Sequence, residues 1–324
     1  MTLGADRGLA SGLACAAAVL GDRARRDVSL GPYTTYGVGG PAALFLDRAD
    51  AGDLALARRA VAASGVAVLV VGRGSNLLVA DAGFAGLAIT LGDAFAAIHP
   101  DEAAARVAAG AAVSLPVLAR RTAVLGLRGL EWSVGVPGSV GGAVRMNAGG
   151  HGSDIRASLT RAWVFDLGRD PDGGDPGGGA VEVGGVEVAA ADLGLGYRTS
   201  GLRPLQVVVA AEFALVAGSK EEAEAEVAAV VRWRREHQPG GSNAGSVFAN
   251  PEGDSAGRLI DAAGLRGHRR GSASVSPKHA NFVQVDPGGS ADDVRALIED
   301  VRGVVETRFG VVLELENRLV GFDS

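Results

Sequence analysis

The hydrophobic positions of the chain form short runs rich in β-branched residues, and such runs predict β-strands. They cover residues 66–71, 162–167, 181–188, 205–215, 282–285 and 311–320. No apolar run reaches the roughly 18 residues that a membrane-spanning helix needs. The sequence therefore predicts many short strands and no membrane insertion.

Three segments instead repeat their apolar residues at helical spacing: 50–63, 219–235 and 290–309. Ser219 and Glu222 form a capping-box pattern at the start of the second segment. The third begins with Ser290 and Asp293 and ends before Gly310, which suits the position just after a helix. Because helices and strands alternate without a regular βαβ period, we predict an α+β fold. The composition changes near residue 216, and a domain boundary is expected there.

Glycine is used unusually often, at 50 of 324 residues. This is about twice the average share of about 7%. Glycines cluster at 37–40, 72–74, 135–152 and 240–245, where tight turns or close approach of backbone to a ligand would need them. A further Gly, Asp and Pro-rich stretch at 168–179 predicts a flexible hairpin loop, and no chemistry is assigned to it.

Charge and cysteine content narrow the class of protein. The chain has 31 basic and 37 acidic residues, a formal net charge of −6, which argues against nucleic-acid binding. The single cysteine, Cys15, excludes an intramolecular disulfide and a Cys-based zinc site, and no metal site is expected. The first residues lack a signal-peptide pattern. We therefore expect a soluble cytoplasmic protein, and a monomer.

The first glycine-rich loop follows an apolar strand directly, with Gly72-Arg73-Gly74-Ser75-Asn76 after Val71. Successive backbone N–H groups in such a turn suit a phosphate or pyrophosphate. The loop has neither the glycine spacing of a Rossmann fold nor the Lys-Ser/Thr of a P-loop. A tight turn without a ligand is an equally good interpretation of this loop alone.

The second cluster, residues 135–152, has seven glycines and almost no charge. Glycine loses more backbone freedom on folding than any other residue. So many glycines in one segment therefore indicate that the segment has a functional role. A groove lined by backbone, holding an extended flat cofactor, would need this composition. His151 lies in the cluster and is given no role.

These loops resemble the flavin-binding half of the UDP-N-acetylenolpyruvoylglucosamine reductase family. Further motifs of the family follow in order over almost the whole chain: Tyr197-Arg-Thr-Ser200, Arg234-Arg-Glu-His-Gln-Pro239, Gly245-Ser-Val-Phe-Ala-Asn-Pro251, Ala256-Gly-Arg-Leu-Ile-Asp261, Lys278-His-Ala-Asn-Phe282 and Leu313-Glu-Leu-Glu316. The short chain between Tyr197 and Ser246 resembles the family type that lacks a Tyr-bearing insertion. Leu315 and Asn317 stand where the family pattern has Pro and Val.

The resemblance implies a two-lobed FAD-binding module, like that of vanillyl-alcohol oxidase and p-cresol methylhydroxylase, followed by a C-terminal α+β substrate-binding domain. The expected division is 1–92 for lobe 1, joined by the C-terminal strand 311–324, then 93–215 for lobe 2 and 216–310 for the substrate domain. FAD would be bound without a covalent link, and NADPH would be the co-substrate. The residues implied in FAD binding are Gly72, Arg73, Gly74, Ser75, Asn76, Val136, Pro137, Gly138, Ser139, Gly141, Gly142, Asn147 and Gly149.

The implied reaction is the NADPH-dependent reduction of UDP-N-acetylglucosamine-enolpyruvate to UDP-N-acetylmuramate, a peptidoglycan precursor. Arg198 matches the arginine that binds the substrate carboxylate, and Glu316 matches the acid on its other side. Ser246 matches the residue that donates a proton to carbon. The residues implied in substrate contact are Tyr197, Arg234, His237, Asn250 and Asn281.

Two other functions remain open from the residues. One is a flavin-dependent sugar or hydroxy-acid oxidase with the same N-terminal module, which leaves the 245–251 motif unexplained. Oxidases of that group often hold flavin through His or Cys, and neither His151 nor Cys15 is placed as a tether. The other is a flavin-holding or nucleotide-sensing protein without activity, against which the joint presence of Arg198, Ser246 and Glu316 argues.

Overall fold

The computed structural model of the protein describes residues 3–170 and 184–322. Its helices alternate with short strands along the chain. The α-helices are α1 (Leu3–Leu20), α2 (Ala51–Ser64), α3 (Leu115–Val124), α4 (Val140–Met146), α5 (Lys220–His237), α6 (Ala256–Ala262) and α7 (Ala291–Phe309). Among the described residues, no helix is both long enough and apolar enough to cross a bilayer.

The strands are short and fall into several separate sheets. In chain order they are β1 (Arg25–Ser29), β2 (Pro41–Ala49), β3 (Val68–Val70), β4 (Leu77–Val79), β5 (Phe84–Leu91), β6 (Ile98–Asp101), β7 (Arg106–Gly110), β8 (Leu127–Arg128), β9 (Gly149–Gly150), β10 (Ser153–Asp154), β11 (Leu159–Asp166), β12 (Val186–Ala189), β13 (Gln206–Ala214), β14 (Val216–Ala217), β15 (Arg269–Arg270), β16 (Ala273–Val275), β17 (Val283–Val285) and β18 (Arg318–Val320).

The backbone divides into two units. Unit 1 contains residues 1–26, 43–73 and 85–232, and unit 2 contains residues 27–42, 74–84 and 233–324. The first 13 residues of α5, 220–232, therefore belong to unit 1, although the composition changes near 216. The three-part division at 92, 215 and 310 stays a prediction.

Unit 1 is built on two sheets. Strands β2, β5 and β3 are neighbours in the first, with β3 parallel to β5. The second has the order β12-β11-β13-β7-β6, and all of its pairings are antiparallel. Aliphatic and aromatic side chains such as Leu44, Phe165 and Phe213 fill the cores on these sheets. Their burial is the main favourable contribution to folding of the unit.

Unit 2 holds its core between helices α6 and α7 and a small antiparallel sheet, β15-β16-β17. A second pairing joins β18 to β4 in parallel, with Arg318 opposite Leu77. The end of the chain thus pairs with the strand that follows the first glycine-rich loop. Asp81, which also follows that loop, accepts hydrogen bonds from the backbone N–H groups of Ala291 at 2.9 Å and Asp292 at 3.2 Å, at the start of α7.

The three predicted helices are confirmed as α2, α5 and α7. Ser290 caps α7 by accepting from the N–H of Asp293, and Gly310 follows the helix with a φ of 68°. The N–H of Glu222 bonds to the Ser219 hydroxyl, as the capping-box pattern predicts. Helices α1, α3, α4 and α6 were not predicted. Two of them, α4 and α6, have only seven residues each, too few for a repeated apolar spacing to show.

Among the predicted strands, 66–71, 162–167, 205–215 and 282–285 are confirmed with shifted ends as β3, β11, β13 and β17. The strand expected over 311–320 is wrong for its first seven residues, since only 318–320 form one. Upstream, backbone pairing is limited to an isolated bridge at Leu315 and single hydrogen bonds around it, so no continuous ladder forms. Of the strand predicted over 181–188, residues 186–188 are confirmed as part of β12, and 181–183 lie outside the described residues, as do residues 171–179 of the 168–179 loop.

Candidate active site

The two predicted flavin loops meet within unit 1, although 67 positions separate Gly72 from Ser139 along the chain. A Cβ placed on Gly72 would clash with the hydroxyl oxygen of Ser139, so only glycine lets the two loops approach this closely. Gly72 and Arg73 are exposed. The tertiary structure therefore brings together two segments that the sequence assigns to one cofactor.

Ser139 is buried and caps helix α4 by accepting from the N–H of Gly142. The N–H groups of Val140 and Gly141 donate to Val113 at 2.8 Å and to Ala111 at 3.0 Å. These amides are therefore used within the chain, and the cradle for a phosphate is smaller than the sequence predicts. Pro137 and Gly142 are the exposed positions of the loop between 136 and 142.

The residues present fit a flat, extended cofactor on unit 1. Two of the four exposed positions of the two loops, Gly72 and Gly142, present bare backbone, and the one charged side chain of 72–76, Arg73, is a cation suited to a pyrophosphate. No group of three His, Cys, Asp or Glu side chains in the described part of the chain could hold a metal ion.

Asn147 ends helix α4 with a φ of 40° and is buried. Its side-chain amide donates to Asp154 at 3.0 Å and to the carbonyl of Gly196 at 2.8 Å, and its oxygen accepts from the N–H of Arg156. The side chain thus ties the end of the second loop to the turn that carries Arg198. Its predicted role toward FAD stays a prediction.

Arg198 occupies a tight turn closed by hydrogen bonds between Gly196 and Thr199, with a left-handed φ of 55°. A non-glycine residue in that conformation is strained, and such strain is often found at functional sites. A Cβ on Gly149 would lie only 3.1 Å from a terminal guanidinium nitrogen of Arg198. The structure therefore brings this predicted flavin-loop residue beside the predicted carboxylate-binding arginine, while Tyr197 next to it is exposed.

The remainder of the first loop lies in unit 2. Gly74 has a φ of 59°, and a Cβ there would clash with the carbonyl of Tyr33. The side-chain amide of Asn76 donates to the carbonyl oxygen of Glu316 at 3.1 Å. This predicted cofactor residue therefore holds the backbone of a predicted catalytic residue. Ser75, which lies between Gly74 and Asn76 in the chain, is half-buried.

Ser246 and Glu316 come together on neighbouring segments of unit 2. Phe248 and Leu315 form an antiparallel bridge, and the N–H of Glu316 donates to the carbonyl of Val247 at 2.8 Å. In this register Glu316 lies opposite Val247, the residue that follows Ser246, and both Ser246 and Glu316 are half-buried. Backbone pairing thereby brings together the two segments that carry the predicted acid and the predicted proton donor.

Asn281 holds the segment that follows Ser246. Its side-chain oxygen accepts from the N–H of Phe248 at 3.0 Å, and its amide donates to the carbonyl of the same residue at 2.8 Å. The backbone carbonyl of Asn281 also accepts from Val247. Asn281 is 3% exposed, so its described contacts support the serine-bearing segment, and contact with substrate stays a prediction.

The other predicted substrate residues lie on the surface of unit 2. Burial lowers the pKa of the Arg234 guanidinium below its ordinary value, and no described carboxylate pairs with it. His237 stacks on Trp233 at 4.6 Å between ring centroids. Asn250 is exposed and accepts from the N–H of Ala256 at the start of α6. These three residues do not form one cluster through any contact among the described residues.

Comparison with known proteins identifies the family. Residues 237–320 match the model of the UDP-N-acetylenolpyruvoylglucosamine reductase C-terminal domain, and residues 42–166 match that of an FAD binding domain. The reductase of Synechococcus sp. strain CC9311 is 39% identical over 93% of this chain and 94% of its own. The chain belongs to the UDP-N-acetylenolpyruvoylglucosamine reductase family. The α+β fold and the FAD-containing oxidoreductase class are thereby confirmed.

Two further relatives agree with this family. The reductase of Anaeromyxobacter sp. strain K is 41% identical over 91% of this chain and 85% of its own. The crystal structure of the reductase from Thermus caldophilus superposes with a TM-score of 0.75 at 35% identity, covering 92% of this chain and 99% of that one. The family therefore extends over both units.

Sequence reasoning missed two residues beside Glu316. Asn317 is buried and contacts Asn76, Ala244 and Ser246, and Tyr36 donates its hydroxyl hydrogen to it. The only signal was that Asn317 stands where the family pattern has an apolar residue. Because buried polar groups are almost always hydrogen-bonded, a polar residue at that position indicates a hydrogen-bond partner in the core.

Proposed function

We propose that this chain reduces UDP-N-acetylglucosamine-enolpyruvate to UDP-N-acetylmuramate with NADPH as reductant, in peptidoglycan precursor synthesis. The observation that carries the proposal is the backbone pairing that brings the segments of Ser246 and Glu316 together in a member of this family. FAD, when bound, supplies hydride transfer between NADPH and the enolpyruvyl group. The exposed glycine backbone and Arg73 of the two loops would hold it.

The residues of the chain would handle charge and protons. The guanidinium of Arg198 offers two parallel donors to the substrate carboxylate, which gains negative charge as the alkene is reduced. The hydroxyl of Ser246 would give its proton to the carbon next to that carboxylate. Glu316 would act in its protonated form, because an ionised carboxylate would repel the developing charge.

The diphosphate of the substrate needs cationic partners. Arg234 supports this part of the proposal, since its guanidinium is partly desolvated without a described carboxylate. A phosphate bound there would compensate the guanidinium charge for the hydration that it loses on burial. Tyr197, His237, Asn250 and Asn281 complete the proposed set of substrate residues.

The proposal is tested on the purified protein by its flavin absorbance. In the absence of oxygen, addition of NADPH should bleach the yellow colour of the flavin. One equivalent of UDP-N-acetylglucosamine-enolpyruvate per flavin should then restore it. A flavin that a sugar or hydroxy acid reduces, and that only oxygen re-oxidises, would establish the oxidase instead. Acid precipitation adds an independent measurement, because flavin without a covalent link leaves the pellet and tethered flavin stays with it.

A further inference from the structure

Asn317 is a buried polar residue, 4% exposed. Its side chain has four hydrogen-bond partners in unit 2, two side chains and two backbone carbonyls. Its amide nitrogen lies 3.1 Å from the side-chain oxygen of Asn76 and 3.3 Å from the carbonyl oxygens of both Ala244 and Ser246. Its oxygen lies 3.1 Å from the hydroxyl of Tyr36. One side chain thus contacts three segments that are far apart in sequence.

The donor and acceptor roles in this cluster are fixed by chemistry. The carbonyl of Glu316 can only accept, so Asn76 must turn its amide nitrogen toward it and its oxygen toward Asn317. Asn317 then faces three acceptors and must present its own amide nitrogen to them. Its oxygen is left for the hydroxyl of Tyr36, and burial raises the pKa of that phenol, which keeps it a donor.

We propose that Asn317 is a positioning residue that fixes Ser246 and Glu316 relative to each other. It bonds to the carbonyl of Ser246 directly, and it reaches the carbonyl of Glu316 through Asn76. The inference rests on the proposed function, in which those two residues handle the proton and the carboxylate. An apolar residue at 317 would remove the bond to the Ser246 carbonyl and leave this segment held from Val247 onward, by the hydrogen bonds to Glu316 and Asn281.

The first test compares Asn317→Val with the double variant Tyr36→Phe/Asn317→Val. The single change leaves the Tyr36 hydroxyl buried without an acceptor, which destabilises the protein whatever the role of Asn317. The double variant removes that hydroxyl too, so its thermal midpoint should recover toward wild type. Asp293→Asn is the matched control, because Asp293 accepts from Ser272 in the same unit and has no described contact with the Asn317 cluster.

Rapid-mixing absorbance measures re-oxidation of the reduced flavin by the enolpyruvyl substrate. We expect at least a 10-fold lower saturating rate in both Asn317 variants, with the half-saturating substrate concentration changed less than 3-fold. Asp293→Asn should lower the thermal midpoint while its re-oxidation stays within 2-fold of wild type. A double variant that re-oxidises at the wild-type rate, or that does not fold, would show a purely structural role and overturn the proposal.

A second comparison places Asn317→Val in a Ser246→Ala background. If Asn317 acts by positioning Ser246, the added change should slow re-oxidation less than 3-fold there. A full and independent 10-fold loss in that background would also overturn the proposal. Failure of the proposed function is distinct, because wild-type protein itself would then not be re-oxidised by the substrate.

Discussion

Ser246 is half-buried and comes directly before the segment that Asn281 holds. Serine is a weak acid, yet a carbon that carries negative charge is a strong enough base to take its proton. Backbone hydrogen bonds on the following residues limit how far the hydroxyl can move. The role proposed for this residue thus depends on local rigidity as much as on acidity.

Replacing Ser246 separates the two halves of the proposed reaction. In Ser246→Ala, flavin reduction by NADPH should stay within a few-fold of wild type, because no carbon is protonated in that half. Re-oxidation by the enolpyruvyl substrate should fall by about 10²–10⁴-fold, the usual loss when a positioned acid is removed. Rapid-mixing absorbance at the flavin band measures each half.

Two further variants make that measurement specific. Ser246→Cys should recover part of the re-oxidation rate, since a thiol has a pKa near about 8.5. Ser274→Ala removes another half-buried serine of unit 2, on β16, and should change neither half. Wild-type re-oxidation in Ser246→Ala would show that the residue is no proton donor.

At the scale of elements, helix α7 contains two glycines with opposite roles. Gly303 lies in the helix interior, is exposed, and has open space where a Cβ would stand. Gly310 also has open space, but its φ of 68° is left-handed. The first glycine therefore weakens the helix and the second ends it.

Alanine at these two positions should change the stability in opposite directions. Gly303→Ala should raise the free energy of unfolding by about 0.5–1 kcal/mol, because it reduces the backbone entropy lost on folding. Gly310→Ala should lower it by about 1–2 kcal/mol, the cost of a left-handed conformation for an L-residue. Chemical denaturation measures both, and a loss in Gly303→Ala would contradict the helix as described.

Helix α2 begins with a capping box between Asp50 and Asp53. A hydrogen bond from Arg23, with Nε to Oδ1 at 2.7 Å, and a further one from the Asp50 N–H lower the pKa of the Asp53 carboxyl, against the effect of burial. The folded state therefore binds a proton at Asp53 less readily than the unfolded chain, whose aspartate pKa is about 3.9. Its stabilisation is complete above that pH and is lost as pH falls through the folded pKa.

Asp53→Asn should therefore lower the urea midpoint at pH 7 and at pH 5 by the same amount. Below about pH 4, the difference from wild type should shrink, because the wild-type carboxyl becomes protonated too. The exposed Asp22 gives a control, since Asp22→Asn removes a nearby acidic charge that has no described ion pair. A difference that grows on acidification would contradict the assigned interaction.

At the scale of the whole molecule, the proposed function requires NADPH and the enolpyruvyl substrate to react in turn at the same flavin. Initial rates measured at several fixed concentrations of one substrate should therefore give parallel double-reciprocal lines. An excess of either substrate should inhibit, because it occupies the site that the other needs. Intersecting lines would indicate a ternary complex and contradict alternation.

The sequence alone determined the features that depend on neighbours in the chain. Helices α2, α5 and α7 could be predicted because their apolar spacing and caps lie within one segment. The glycine-rich loops and the family motifs are local as well, and they indicated flavin and the reaction class. Helices α4 and α6 could not be predicted, since seven residues hold too few apolar positions to show a helical repeat.

Only the tertiary structure decided how distant segments combine. The contact of Gly72 with Ser139 and the pairing of the Ser246 segment with the Glu316 segment join residues that lie about 70 positions apart. Asn317 gave one weak sign in the sequence, and its hydrogen bonds to Tyr36 and Asn76 became visible only in the fold. Hydrogen bonds between distant residues depend on how the whole chain packs, and no spacing within one segment encodes them.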